Sequence, residues 1–135
     1  MASRSRFVLD TSAILALRGN EAGARRVEAV LRSARAGRAK VYLSFMTRME
    51  LLYRIARDEG QEQAETAVRL TDATGVEWVS CEREILEAAA RLKALGGLSV
   101  ADAWIAATAL ACDAVLVHKD PEFKRANRVP QERLR

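Results

Sequence analysis

The apolar positions along the chain change period several times, and each change marks an element. Arg6-Phe7-Val8-Leu9-Asp10 is a short apolar run closed by an acid, the pattern of a buried strand. Thr11-Ser12 offers a helix start ahead of Ala13-Ile14-Leu15-Ala16-Leu17, and Gly19-Asn20 breaks that helix. A second helix is predicted from Glu21 to Ala36, ended by Gly37. Lys40-Val41-Tyr42-Leu43 reads as a strand, after which Ser44 or Thr47 can cap a helix carrying Met49, Leu52, Tyr53 and Ala56, broken at Gly60. Another helix covers Gln61 to Thr74, and Gly75 precedes a third strand, Val76-Glu77-Trp78-Val79. Glu82 to Leu95 places Ile85, Leu86, Ala89 and Leu92 on one helical face, stopped by Gly96-Gly97. Ser99 to Ala111 is the most apolar helix, Ala114-Val115-Leu116-Val117 the fourth strand, and Asp120-Pro121 starts a short helix through Phe123. Strands alternating with helices, without tight hairpins, predict an α/β three-layer sandwich: a short, mainly parallel sheet covered by helices on both faces.

Composition narrows the class. At 135 residues the chain is expected to form one domain, 1–135, able to bury roughly two thirds of its unfolded surface without a disulfide or metal staple. Half the residues are apolar and 30% charged, as in an ordinary globular domain. No apolar run approaches the ~20 residues that cross a bilayer, and Met1-Ala2-Ser3-Arg4-Ser5-Arg6 does not read as a signal peptide. A cytoplasmic protein without membrane partners is therefore expected. Cys81 and Cys112 form no zinc or redox spacing and read as two small buried apolar side chains in a reducing compartment. The 22 Lys and Arg outnumber the 18 Asp and Glu, and 18 of the bases are Arg, whose planar fork suits phosphate.

Four acids fall where an open α/β sheet gathers its chemistry, outside the carboxyl ends of its strands. Asp10 ends the first strand and Asp120 follows the fourth; Glu50 and Asp102 lie on helices that can face the same crevice. Singly, each has a plain structural explanation. Asp10 can cap the helix starting at Thr11, and Asp120-Pro121 is a standard cap. Glu50 has Arg54 one turn on, a default helical ion pair. Asp102 completes Ser99-x-x-Asp102, close to a capping box. Yet Glu50 sits at the edge of an apolar stripe, and Ile105, Ala106 and Ala109 share the face of Asp102. Clustered together the four would repel: two unit charges ~4 Å apart cost roughly 4 kcal/mol at an effective dielectric of 20. Protons or cations must offset that. A carboxylate cluster without His or Cys is a hard site suited to Mg²⁺ or Mn²⁺, the ions of phosphodiester hydrolysis. Setting the four acids aside widens the excess of bases on the remaining surface, which suits a nucleic acid backbone.

Four segments in order resemble a known family. Val8-Leu9-Asp10-Thr11-Ser12-Ala13-Ile14-Leu15-Ala16-Leu17 is similar to the opening motif of the PIN domain, particularly of the VapC ribonuclease toxins. Met46-Thr47-Arg48-Met49-Glu50-Leu51-Leu52 resembles the second motif. The run from Leu98 to Ala109, with Asp102, resembles the third, and Val115-Leu116-Val117-His118-Lys119-Asp120-Pro121-Glu122-Phe123 the fourth. The resemblance covers essentially the whole chain. It implies a Mg²⁺- or Mn²⁺-dependent endoribonuclease in which Asp10, Glu50, Asp102 and Asp120 coordinate one or two metals, leaving 5′-phosphate and 3′-hydroxyl ends. It also implies a homodimer and a small VapB-type antitoxin. Ala13 to Leu17 and the Glu50 helix, with Leu51 and Leu52, are the candidate lining of the antitoxin's groove.

By the same resemblance Ser12 is the hydroxyl near the first acid, placed for a metal-bound water or a phosphate oxygen; its alternative is helix capping. Arg18, Arg48, Arg54 and Lys119 lie near the motifs and are the candidates for substrate phosphate. Glu122 reads as solvated, and Trp78 and Trp104 as core or dimer-interface residues. His118 departs from the family, which has Thr or Ser there. It reads first as a surface substitution, and second as a group that tunes the site's acidity. Two other functions stay open: an RNA-maturation nuclease without antitoxin, and a binding module that keeps the acids without cutting. A Gly-rich phosphate loop is missing, and one histidine leaves a Ser-His-Asp triad little to draw on.

Overall fold

The computed structural model describes residues 5–135, and the reading of the first six residues falls largely outside them. The elements are β1 (Arg6–Leu9), α1 (Thr11–Arg18), α2 (Ala24–Arg35), β2 (Lys40–Ser44), α3 (Phe45–Glu59), α4 (Gln61–Asp72), β3 (Glu77–Val79), α5 (Arg83–Ala94), α6 (Val100–Ala111), β4 (Val115–His118), a 3₁₀ helix (Pro121–Arg125) and β5 (Gln131–Arg133). The strands form one parallel sheet in the order β3-β2-β1-β4-β5. The expected α/β sandwich is therefore present, with one strand more than the pattern predicts.

Alternation along the strands divides the core between the two faces. Phe7 and Leu9, Val41 and Leu43, and Val117 pack under α1–α4, against Ile14, Val27, Val30, Leu51, Ile55 and Val68. Val8, Tyr42 and Leu116 pack on the opposite face, against Ile85, Leu92, Ile105 and Phe123 and the alanines of α6. Those alanines let α6 lie close to the sheet, in contact with β1, β2 and β4.

This layering follows from the path of the chain. It steps from β1 to β2 to β3 in one direction, and right-handed crossovers place the connecting helices on one face. To reach β4 it returns past β1, and α5 and α6 cover the other face. The direction reverses between β1 and β4, so a crevice opens outside the carboxyl ends of those two strands.

Three readings need correction. The second helix starts at Ala24 rather than Glu21, behind Gly23, whose φ of 96° suits glycine and ends the preceding turn. Strand β5 pairs with β4 at the sheet edge, although Gln131-Glu132-Arg133 has no apolar residue. Cys81 is exposed on the loop before α5 and Cys112 is half-buried, so they are not a pair of buried apolar side chains. Trp104 is half-buried and meets Phe45 edge-on, at 4.8 Å between ring centres.

Candidate active site

Each acid is set by the first turn of an element or by a neighbour across the crevice. Asp10 ends β1 as the N-cap of α1: its carboxylate accepts the Ala13 N–H at 2.9 Å and lies 2.7 and 2.8 Å from the Ser12 hydroxyl. Ser12 Oγ also accepts the backbone N–H of Lys119 at 2.9 Å, tying the start of α1 to the end of β4. The backbone N–H of Asp10 donates to the Val117 carbonyl at 3.1 Å, a second tie across the reversal point.

Glu50, one turn into α3, receives the Thr11 hydroxyl at 2.7 Å, and the Thr11 and Thr47 hydroxyls lie 3.3 Å apart. The Glu50–Arg54 ion pair, the plain alternative for this acid, does not form; Thr11 reaches the glutamate from another element. Ser44, rather than Thr47, caps α3. Ser99 caps α6 by accepting the Asp102 N–H at 3.1 Å, which leaves the Asp102 carboxylate facing the crevice. Asp120 caps the 3₁₀ helix by accepting the Glu122 N–H at 2.9 Å.

The four acids line one cavity of about 260 Å³, together with Ser12, Arg54 and Glu122. Within it one carboxylate oxygen each from Asp102, Asp120 and Glu122 lie within 4.8 Å of one another. Glu122, read from sequence as solvated, thus belongs to the acid cluster. It is exposed, but the cap that Asp120 places on its N–H fixes its backbone beside the site. Asp10 and Glu50 stand in the same cavity outside that tight trio.

The electrostatics record the crowding. Asp10 is only 3% exposed, and burial lifts its carboxyl to about 7; Asp120 and Glu50 push the same way, against the hydrogen bonds from Ser12 and Ala13. Asp102 is also lifted to about 7, first by burial, then by Asp120 and Glu122. Both acids therefore keep their protons closer to neutral pH than a free carboxyl does, chiefly because they are buried.

The nearby cations are mostly engaged elsewhere. Arg18 pairs with Glu59 at 3.1 Å, and Lys119 Nζ with Glu21 at 3.2 Å. Arg48 pairs with Asp72 at 3.1 Å and stacks 5.0 Å over the Trp78 ring, whose N–H donates to the same aspartate. Of the four candidate phosphate contacts, only Arg54 lines the acid cavity.

His118 is not a surface residue. It is 1% exposed and packs on Phe123 with 4.8 Å between ring centres. Its Nδ1 accepts the Asp120 N–H and its Nε2 meets Gln131, so neither ring nitrogen is free for a metal. Burial lowers its affinity for a proton, a pull only partly opposed by Gln131 and Asp120. The donors that remain at the cavity are carboxylate and hydroxyl oxygens, the set a hard divalent cation takes. Sequence reasoning did not single out Thr11 or Gln131, since both act through contacts distant along the chain.

A comparison with solved structures finds the same fold in several proteins. VapBC-1 from nontypeable Haemophilus influenzae matches at 26% identity and a TM-score of 0.74, over 95% of this chain and 97% of that one. VapBC2 from Rickettsia felis, bound to a DNA fragment of its promoter, matches at 19% identity and a TM-score of 0.76, over 96% and 99%. DNA-bound VapBC from Salmonella typhimurium matches at 20% identity and a TM-score of 0.75, over 95% and 97%. No curated protein matches the chain. The family model of the PIN domain matches residues 7–129, nearly the full length, and so spans β1, the acid cavity and the 3₁₀ helix. The chain belongs to the PIN domain family.

Proposed function

We propose that the protein is a divalent-metal-dependent endoribonuclease, the VapC toxin of a VapBC-type pair. One observation carries the reading: Asp10, Glu50, Asp102, Asp120 and Glu122 converge on a single cavity where burial and mutual repulsion lift two of them to about 7. Asp102, Asp120 and Glu122 would hold Mg²⁺ or Mn²⁺, with Asp10 and Glu50 completing the oxygen set. A bound divalent cation supplies charge neutralisation for the scissile phosphate and acidifies water at neutral pH.

The chain's own residues do the rest. Ser12 and the Ala13 N–H hold the Asp10 carboxylate facing the cavity, and Thr11 does the same for Glu50. Arg54 stands at the cavity wall to take a phosphate oxygen and orient the backbone for in-line attack of water on phosphorus. The charge excess elsewhere would draw in the RNA.

An antitoxin partner is supported by a second, apolar groove. Ile14 and Leu17 of α1, Leu51 and Ile55 of α3, and Ala67 and Leu70 of α4 line it, with Arg18 at its rim. Leu52 does not line that groove; it packs at the edge of the core and lines a separate pocket with Met49 and Tyr53, both about half exposed. That outward face would serve self-association into the homodimer. No helix among the described residues is long and apolar enough to cross a membrane, and a cytoplasmic location is part of this proposal.

The test is cleavage of a mixed-sequence, end-labelled RNA by antitoxin-free protein, with Mg²⁺, with Mn²⁺ and with EDTA. Cutting that needs the metal and vanishes in Asp102→Asn supports the reading. Folded protein that cuts none of several RNAs, total tRNA included, refutes it and favours a binding module.

A further inference from the structure

The one histidine of the chain lies behind the acid cavity rather than in it. The Asp120 N–H donates to His118 Nδ1 at 3.2 Å, so Nδ1 carries no hydrogen. Gln131 Nε2 shares its two hydrogens among three backbone carbonyls, those of Phe123, Ala126 and Val129, at 3.0, 3.0 and 3.2 Å. That arrangement turns Gln131 Oε1 toward the imidazole, 2.8 Å from Nε2. An amide oxygen only accepts, so the remaining hydrogen sits on Nε2. The ring is held neutral, in one tautomer.

The two links do different work. The first is a side-chain turn of the Asx kind, in which an acceptor on one residue takes the N–H two residues on. It fixes the backbone entering Asp120, whose carboxylate in turn holds the Glu122 N–H. A serine or threonine hydroxyl at position 118 would make this link alone. The second, from Nε2, reaches Gln131 on the edge strand β5, and Gln131 clamps the turn that follows Glu122. Phe123, fully buried, closes the ring's remaining side.

We propose that His118 and Gln131 form a positioning relay that sets the Asp120–Glu122 arm of the acid cluster from strand β5, and thereby raises the cluster's affinity for a divalent cation. The relay rests on the reading that the acids hold such a cation. Neither residue touches the cation or the RNA; they act through Asp120 and Glu122. Partners one step removed from a metal typically change its affinity 10–100-fold when lost.

The experiment measures Mn²⁺ binding by calorimetry on the full chain and its variants, with circular dichroism to establish folding. His118→Ala, which removes both links, should weaken Mn²⁺ binding at least 10-fold. His118→Asn keeps an acceptor for the Asp120 N–H and should recover most of that loss. Gln131→Leu keeps bulk but breaks the second link and the clamp, and should weaken binding several-fold; it carries the test if His118→Ala does not fold. A metal-free readout accompanies these. The single imidazole should show the Nε2–H tautomer by ¹⁵N NMR, and the Asp120 amide should be protected from hydrogen exchange in wild type and His118→Asn but not in His118→Ala.

Folded His118→Ala and Gln131→Leu that bind Mn²⁺ within twofold of wild type would overturn the relay while leaving the metal reading intact. Wild-type protein that binds no Mn²⁺ overturns the metal reading instead. The relay is then judged on the tautomer and the Asp120 amide: protection unaffected by His118→Ala overturns it, and protection lost in that variant and kept in His118→Asn supports it as a positioning device.

Discussion

Replacing Asp10 with asparagine should make the metal-free protein more stable at about pH 8 and leave it unchanged near pH 4. Asp10 is almost wholly buried, and burial is the main reason its carboxyl moves from the ordinary 3.8 to about 7. Between those values the folded chain keeps a proton that the unfolded chain has released. The folded state thus binds more protons, and stability falls as pH rises through the window, by up to ~1.4 kcal/mol per pH unit. Above the upper value the accumulated cost is at most on the order of 4 kcal/mol, less whatever screening water in the open cavity provides. Asparagine keeps the shape, caps a helix as well as aspartate, and still offers Ala13 an oxygen, but it has no charge to desolvate. At ~4 °C of Tm per kcal/mol for a chain of this size, the gain should approach 10 °C at about pH 8 and vanish near pH 4. Thermal melts followed by circular dichroism in EDTA, at several pH values, read it directly. Mg²⁺ should raise the wild-type Tm at about pH 8, where it replaces the missing protons, and not near pH 4. Its effect on Asp10→Asn should be smaller. An asparagine variant no more stable than wild type at about pH 8, or equally stabilised at both pH values, would refute the account of a carboxyl held up to about 7 mainly by its burial.

Other outcomes follow from single contacts. Ser12→Ala removes the hydroxyl that joins Asp10 to the Lys119 N–H; it should cost about 1–2 kcal/mol in urea unfolding and weaken Mn²⁺ binding by roughly tenfold. Arg54→Gln should raise the KM for RNA several-fold more than it lowers kcat and should flatten the salt dependence of binding, since Arg54 is the cation at the cavity wall. Gly23→Ala should destabilise by about 1–3 kcal/mol in thermal melts. Its φ is +96°, and the added Cβ would meet the Leu134 Cβ at 2.9 Å, a contact that loosens the C-terminal end of the sheet.

The parts of this protein that the sequence announces are those set by neighbours along the chain. Strand β1, the helix start at Ser44, the cap at Ser99 and the stop at Gly60 all depend on residues within a turn or two. The four acids were legible because each follows a strand or sits in the first turns of a helix beside recognisable partners. What stayed hidden was set across distance. Thr11 holds Glu50 through a contact 39 residues apart, which neither the site reading nor the alternative Arg54 pair contained. Strand β5 is three polar residues at an edge, recruited by pairing with β4 and not by any apolar pattern. His118 had a usable signal. Val115 and Val117 face one layer and Leu116 the other, so a strand continued by one residue puts His118 beside Leu116, on the face covered by α5 and α6. Ending the strand at Val117 sent the ring to the surface.

The distribution of charge argues for a cation from outside rather than for a docking site awaiting a partner's arginine. Outside the cavity this arginine-rich chain satisfies many of its acids: Glu21, Glu59, Asp72 and Glu132 each meet a base within about 3 Å. Inside the cavity it does not. Arg54 lines the wall, yet among the described residues no ion pair joins it to Glu50, Asp10, Asp102 or Asp120. Small hydroxyls and backbone N–H groups fill the places where a guanidinium would otherwise sit, and they orient the carboxylates without neutralising them. A guanidinium entering from a partner would be a planar fork, best met by one carboxylate presenting both oxygens. Three carboxylate oxygens, one each from Asp102, Asp120 and Glu122, instead lie within 4.8 Å of one another. That arrangement suits a compact, doubly charged ion, and it explains why a chain with arginine to spare leaves its most deeply buried aspartate without one.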